Sequence, residues 1–284
     1  MSDTAAAIDG GKPAEDGVRV RVEDGVSWIT LARPEAANTI DAAARERIIG
    51  ALERASEDPS TRCVVLGAEG RFFCTGADLR GPRSGAGDAA PPARQERPVG
   101  EVRRMLLGGA IRLISAVLDC DRPVVAAVQG TAAGIGAHLA LACDLVVAAE
   151  EARFIEVFAR RGLAADGLGA WLLPRLVGLR RAKELVLLAE DLPAAEALRA
   201  GLVNRVVPGG ELAAATEALA RRLADGPTRA HAVNKWMLNH SLDVGREVLA
   251  QEEAWAVDAL SRTWDSQEGV RSFVERRPPR FRGV

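Results

Sequence analysis

The sequence has only three histidines and four cysteines in 284 residues. Cys63, Cys74, Cys120 and Cys143 stand far apart, with no CxxC pair and few histidines near them. That spacing argues against both a disulfide framework and a zinc site, and makes reduced thiols in a cytoplasmic protein the expectation. The formal net charge of -2 supplies no basic excess with which to hold nucleic acid or an anionic membrane. No uninterrupted apolar run is long enough to span a bilayer. The opening MSDTAAAIDGGKPAEDG lacks the basic-then-apolar order of a signal peptide. We see no internal repeat. These absences leave a cytoplasmic protein without nucleic-acid or membrane partners and without a metal.

What is present is an ordinary globular composition, 48% hydrophobic and 27% charged, in a chain able to bury one sizeable core. Residues 1–16 read as a flexible arm of small and polar residues. VRVRVEDGVSWITLARP alternates apolar and polar residues around Asp24–Gly25, the signature of a β-hairpin. An amphipathic helix is expected over Asp41–Glu57, with Ile48, Ile49 and Leu52 on one face. Cys63–Ala68 reads as a short buried strand, Gly81–Pro98 as a loop over the site or a disordered stretch, and Val99–Leu118 as a helix. Strand and helix patterns alternate until Val207, which argues for an α/β core over 17–207 with largely parallel pairing. Beyond Pro208 the pattern is helical. Leu212–Ala224, Thr228–Asn239, Val244–Trp264 and Glu268–Arg276 form a C-terminal region over 208–284 in this reading.

Two stretches carry glycine turns suited to chemistry. In Val124–Ala149 an apolar strand enters Gly130–Gly136, a small-residue helix follows over Ala137–Ala142, and a second strand covers Leu145–Ala149. Glycines allow close backbone approach, and a helix N-terminus offers free N–H groups to an anionic oxygen. In Gly70–Arg80, GRFFCTGADLR, a strand is expected to end in a second glycine turn.

With both turns in view, the chain resembles the crotonase superfamily of enoyl-CoA hydratases and isomerases. The matching pieces occur in order: LARPEAANTI, RFFCTGADLR, DRPVVAAVQGTAAGIGAHLALACDLVVA, RRGLAADGLGAWLLPRLVG, AAEALRAGLVNRVVP and EGVRSFVERRPPRFRG. They cover roughly residues 17–283. The resemblance implies a spiral of ββα units with a helical C-terminal region that builds trimers or dimers of trimers. It implies acyl-CoA thioester substrates, so that coenzyme A belongs to the substrate. The N–H groups of Ala77 and Ile135 would hold the thioester oxygen as it gains enolate character, as fixed donors should. Glu35, Ala37, Thr75, Gly76, Asp78, Leu79, Gly134 and Phe158 are the substrate-contact candidates it implies.

The chain also departs from the family pattern. Where a typical hydratase of this family has its two catalytic glutamates, this sequence has His138 and Phe158. Asp166, in GLAADGLG, matches a position at which some members carry a proton-moving or nucleophilic Asp. Beside Leu163, Leu168 and Trp171 it should be partly desolvated, with a raised pKa. Dehalogenating members also carry a His on the preceding helix, and Ile111 stands there instead. Asp166 reads either as an acid/base or as a simple turn residue before glycine. His138 reads as a proton relay or as a packed helix histidine. Glu156 shares a strand face with Phe158 and reads as a structural or trimer-contact residue, or as a pocket border. His231 and His240 are expected at the surface or an interface, and Trp236, Trp255 and Trp264 as core or interface anchors. The ERRPPRFRG ending is either near a CoA phosphate or a solvated tail.

Two functions follow from the residues together with the resemblance. One is an acyl-CoA enzyme in which Asp166 and His138 move protons, with double-bond isomerisation or atypical hydration favoured over ordinary hydration. The other is an acyl-CoA binder without activity. A dinucleotide site at Gly134-x-Gly136 is discarded, because Leu139 occupies the place of the third small residue.

Overall fold

The structure, a computed structural model, describes residues 17–78 and 98–284. The expected arm, the stretch over 81–97 and Leu79 lie outside the described residues.

The hairpin forms as its sequence dictates. Strands β1 (Val18–Glu23) and β2 (Val26–Leu31) pair antiparallel, and Asp24 and Gly25 both take positive φ, the twist that suits a two-residue turn. Helix α1 (Ala42–Glu57) begins where the Asp41 carboxylate accepts the Ala44 N–H at 2.9 Å. Strand β3 (Cys63–Ala68) pairs parallel with β2.

The expected helix over Val99–Leu118 is present but divided. It runs as α2 (Glu101–Leu106), a π-helical turn over Leu107–Ile111 and α3 (Arg112–Leu118). The break is at Gly109, at φ -110° and ψ -105°; a glycine pair weakens a helix here, and apolar spacing does not report it.

Strand β4 (Val124–Val128) leads into β5 (Thr131–Ala133), helix α4 (Ile135–Leu141), β6 (Leu145–Ala149) and β7 (Arg153–Ile155). Helix α5 (Gly169–Leu188), β8 (Asp191–Pro193), α6 (Ala194–Arg199) and β9 (Arg205–Val207) complete the core. One sheet has the order β1-β2-β3-β4-β6-β9, parallel after its first pair, and a small second sheet has the order β5-β7-β8. The stretch Gly130–Gly136, expected as a turn, therefore contains a strand. Three residues are too few to show a period.

The large sheet is covered on both faces, which explains its continuous apolar runs. Val64 and Leu66 face the cluster that holds α1, α3 and α4. Cys63 and Val65 face the other way, against Leu212, Leu219 and Ala220 of α7 (Leu212–Ala224).

The Gly70–Arg80 stretch is not a strand in the part described. Phe73–Asp78 is an extended thread held from two sides. Phe73 and Cys74 donate to the carbonyls of Gln129 and Thr131, and Ala133 donates to Cys74. On the other side Thr75 donates to Ala37, Ile40 donates to Gly76, and Asp78 donates to Ile40. Gly136 makes the thread fit, because a β-carbon there would overlap the Cys74 carbonyl oxygen and lie 2.7 Å from its Sγ.

The tail carries α8 (Thr228–His240), α9 (Arg246–Ser261) and α10 (Trp264–Glu275). The expected Val244–Trp264 helix stops early, because Thr263 caps a new helix by accepting the Ser266 N–H. Lys235 of α8 is buried against the core. Its Nζ lies 2.9 Å from an Asp144 carboxylate oxygen and donates to the carbonyls of Val117 at 3.0 Å and Arg122 at 3.2 Å. Burial pushes the Asp144 carboxyl above the ordinary range, and the lysine partly offsets this. The chain end is pinned, not free: Asp265 accepts the N–H groups of Arg282 and Gly283, and Glu268 accepts that of Arg280 and pairs with Arg277. By contrast α9 buries no residue in the single chain, and Trp255 is 75% exposed. Trp236 and Trp264 are also partly or largely exposed, so none of these three tryptophans is a core anchor within one chain.

Three substitutions check this account. Gly136→Ala should cost about 1–3 kcal/mol in denaturant unfolding, the range for forcing atoms into a packed site. Gly210→Ala, which would meet nothing within 4 Å, should stay within about 0.5 kcal/mol. Lys235→Ala strands the Asp144 carboxylate and should cost roughly 3–5 kcal/mol.

Candidate active site

The thread leaves one of its N–H groups without a partner. Ile40 bridges Ala77 by bonding to the residues on either side of it, Gly76 and Asp78, so the N–H of Ala77 points away from that bond pair. No backbone acceptor takes it among the described residues. The N–H of Ile135, at the first position of α4, has no backbone acceptor there either, as helix geometry requires of a first-turn donor. Gly134 sets up that turn at φ 54° and ψ -125°, a conformation suited to glycine, while its own N–H donates to the Ile155 carbonyl at 2.9 Å. A β-carbon on Gly76 would lie 3.3 Å from the Ala133 carbonyl oxygen, so the thread and the α4 entry abut. Two donors on adjoining turns can donate to one oxygen that gains charge.

Behind Ile135, one helical turn on, His138 is completely enclosed. Its Nε2 lies 2.8 Å from a Glu156 carboxylate oxygen, and its ring stacks on Phe158 with centroids 5.4 Å apart and planes at 19°. Glu156 is itself buried. Glu156 is thus a buried partner of His138 within the chain, not a surface residue. Strand β7 ends at Ile155, so Glu156 reaches the ring from the turn after the strand, and alternation alone could not give the bond.

Asp166 sits on the turn before α5. Gly167 and Leu168 take positive φ, and the Asp166 carbonyl accepts the Gly169 N–H at 3.2 Å. The turn packs on the imidazole: a β-carbon at Gly169 would overlap Cε1 and Nε2 of His138, and one at Gly167 would come 3.6 Å from Nδ1. The Asp166 side chain is half-buried and makes no hydrogen bond or ion pair among the described residues. Loss of water, the largest effect on it, raises its pKa above the ordinary 3.8. Leu163 is 54% exposed and so supplies little of that desolvation, whereas Leu168 and Trp171 pack on the core. The role of Gly167 and Gly169 in making room for the ring was not read from the sequence. Closely spaced glycines around a polar residue were the available signal.

The remaining candidates divide. Ala37 is in the left-handed region, and its carbonyl accepts both the N–H and the hydroxyl of Thr75, so these two hold the thread. Asp78 lies 3.5 Å from the Arg33 guanidinium, which also pairs with Asp41. Glu35 is exposed on the short 3-10 turn Pro34–Ala36. Cys74 is buried and its thiol is pushed up to about 12, so it is no nucleophile. His231 is half-buried, and His240 pairs with Glu252. All four cysteines are free and buried. Among the described residues no cluster of His, Cys, Asp and Glu could hold a metal, and no helix is long and apolar enough to cross a membrane.

The model of the enoyl-CoA hydratase/isomerase family matches residues 21–284. The chain belongs to that family. A Rhodobacter capsulatus protein named "probable enoyl-CoA hydratase" is 39% identical over 266 residues, 94% of this chain and 98% of that one. The 1,2-epoxyphenylacetyl-CoA isomerase of Escherichia coli K12 is 34% identical, covering 92% of this chain and 97% of its own. The crystal structure of a Bacillus anthracis enoyl-CoA hydratase overlays with a TM-score of 0.83 at 30% identity, over 94% of this chain and all of that one. The fold is thus the crotonase fold, and hydratase/isomerase-family action on acyl-CoA is the function at the level the family supports.

The raised Asp166 pKa has a definite sign in stability. A carboxyl whose folded pKa lies above its unfolded value favours folding at low pH, and that gain is lost as pH rises through the folded pKa. Asp166→Asn should therefore unfold at equal or higher denaturant than the parent at pH 7, and the carbon NMR titration of Asp166 should have its midpoint above 3.8.

Proposed function

We propose that the protein is an acyl-CoA enzyme in which Asp166 moves a proton while the N–H groups of Ala77 and Ile135 hold the thioester oxygen. The observation that carries this reading is the Asp166 carboxylate. It is partly desolvated, unpartnered, and set on a turn packed against Ile135 and His138. A carboxylate in that state takes a proton at a pH nearer neutrality than a solvated one does. Each oxyanion donor would supply about 2.7–4 kcal/mol of barrier lowering.

Double-bond isomerisation suits the site better than ordinary hydration. Hydration needs one group to activate water and another to deliver a proton. Here the position opposite Asp166 in role is Phe158, an apolar ring stacked on His138. One carboxylate that removes a proton from one carbon and returns it to another completes an isomerisation; atypical hydration would need His138 as the second group. Glu35, Ala37, Thr75, Gly76, Asp78 and Leu79 would cradle the CoA moiety, with Gly134 and Phe158 beside the acyl group. No cofactor beyond the CoA of the substrate enters. The exposed apolar residues of α9 and α10, Trp255 and Phe273 among them, support a homotrimer or dimer of trimers.

The second reading, an acyl-CoA binder without activity, is favoured by Phe158 alone, since it removes a second proton-moving group. Mass spectrometry separates the two. In heavy water, a panel of enoyl- and dienoyl-CoAs should take up deuterium with the wild-type protein, with a shifted double bond for isomerisation or the mass of one water for hydration. Asp166→Asn should slow this by about 10²–10⁴-fold. Thioester binding without exchange or product would leave the binder.

A further inference from the structure

One buried polar atom in the described structure is left over by the site as read so far. His138 is fully enclosed, and Glu156, the partner of its Nε2, is 5% exposed. A neutral imidazole carries one proton, and an ionised carboxylate only accepts, so this bond places the proton on Nε2 and leaves a lone pair on Nδ1. That Nδ1 is buried without a hydrogen-bond partner. A buried acceptor without a donor is unfavourable, and a native fold retains few of them.

The ring edge that bears Nδ1 faces the turn of Asp166. A β-carbon at Gly167 would come 3.6 Å from Nδ1, while one at Gly169 would overlap Cε1 and Nε2, so no residue with a side chain beyond hydrogen fits at Gly169. The Asp166 carboxylate on the same turn is likewise without a hydrogen bond among the described residues. Neither Nδ1 nor the Asp166 carboxylate thus has a donor among the described residues, and the turn of Asp166 adjoins the ring. The chain of groups from Glu156 through His138 to Asp166 is short by one proton, and the reaction assigned to Asp166 delivers one.

We propose that Glu156 is a positioning residue that fixes His138 as the Nε2–H tautomer, so that Nδ1 accepts the O–H of Asp166 once Asp166 has taken a substrate proton. This rests on the reading of Asp166 as the acid/base. In the first half, a substrate C–H bond breaks, its electron pair passes into the thioester enolate, and an O–H bond forms on Asp166. That O–H donates to Nδ1 while Nε2–H continues to donate to Glu156. In the second half the O–H bond breaks and a C–H bond forms at the other carbon. The protein ends as it began, and no further reactant is consumed.

Nitrogen NMR of the full chain with labelled histidine tests this directly, since only three histidines contribute and His138→Gln identifies the signals of His138. Wild-type protein should show His138 neutral, with Nε2 protonated and Nδ1 bare. In Glu156→Gln the two tautomers should mix, and kcat for deuterium exchange of an enoyl-CoA should fall about 10²-fold at most, with KM unchanged. Glu156→Asp should recover part of both. A wild-type spectrum with the proton on Nδ1 would overturn the proposal, and needs no variant to fold. So would a Glu156→Gln protein that keeps the wild-type kcat. Absence of exchange in wild-type protein overturns the reading of Asp166, and this use of Nδ1 with it. The spectrum then still reports separately whether Glu156 sets the tautomer.

Discussion

The site depends on one close approach between two pieces of backbone. The first turn of α4 lies against Cys74 at a distance that only a missing side chain permits, and that side chain is missing at Gly136. Once the approach is made, Phe73–Asp78 can bond to β5 on one side and to Ala37–Ile40 on the other. The N–H of Ala77 is then left pointing away from Ile40, without a backbone acceptor among the described residues. Elements distant in sequence, the entry to α1, the thread and the strand before α4, are held as one object by these bonds. Interiors packed to crystalline density do not deform gradually, so this geometry is either formed or lost.

Behind that frame the side chains are arranged by exclusion of water. Phe158 covers one face of the His138 ring, Glu156 holds its Nε2, and the glycines flanking Leu168 let the Asp166 turn close over its edge. The three polar groups, His138, Glu156 and Asp166, are removed from solvent in different degrees. Asp166, the least enclosed of the three, is the one whose protonation is shifted by desolvation without a compensating hydrogen bond. A carboxylate so placed costs the fold some stability near neutrality, the usual relation between a working group and its scaffold.

Much of this was legible in the sequence. Asp24–Gly25 named its hairpin, Cys63–Ala68 and Leu145–Ala149 named their strands to the residue, and Leu212–Ala224 its helix, because long or sharply bounded patterns report burial faithfully. The ordered motifs placed the family, and the positions of Ala77, Ile135, His138 and Asp166 followed from it. Other features were hidden for definite reasons. Strand β5 is three residues long and has no period to show. The division of the helix around Gly109 leaves the apolar spacing almost intact. The bond between Glu156 and His138 joins residues 18 apart through a turn that no local pattern encodes. Helix α9 reads as a helix in sequence, yet none of its residues is fully buried within one chain.

The bonds that fix the thread have a wider consequence. They run almost wholly from main chain to main chain, so they are indifferent to which side chains the neighbouring positions carry. The groups that take or steer the proton in our reading, at 138, 156 and 166, are side chains and nothing else. Replacing one of them by a single substitution leaves the frame standing while changing the reaction the frame can serve. A scaffold divided in this way is readily evolvable: the part that grips the common half of a substrate is inherited intact, and the part that decides its fate can drift.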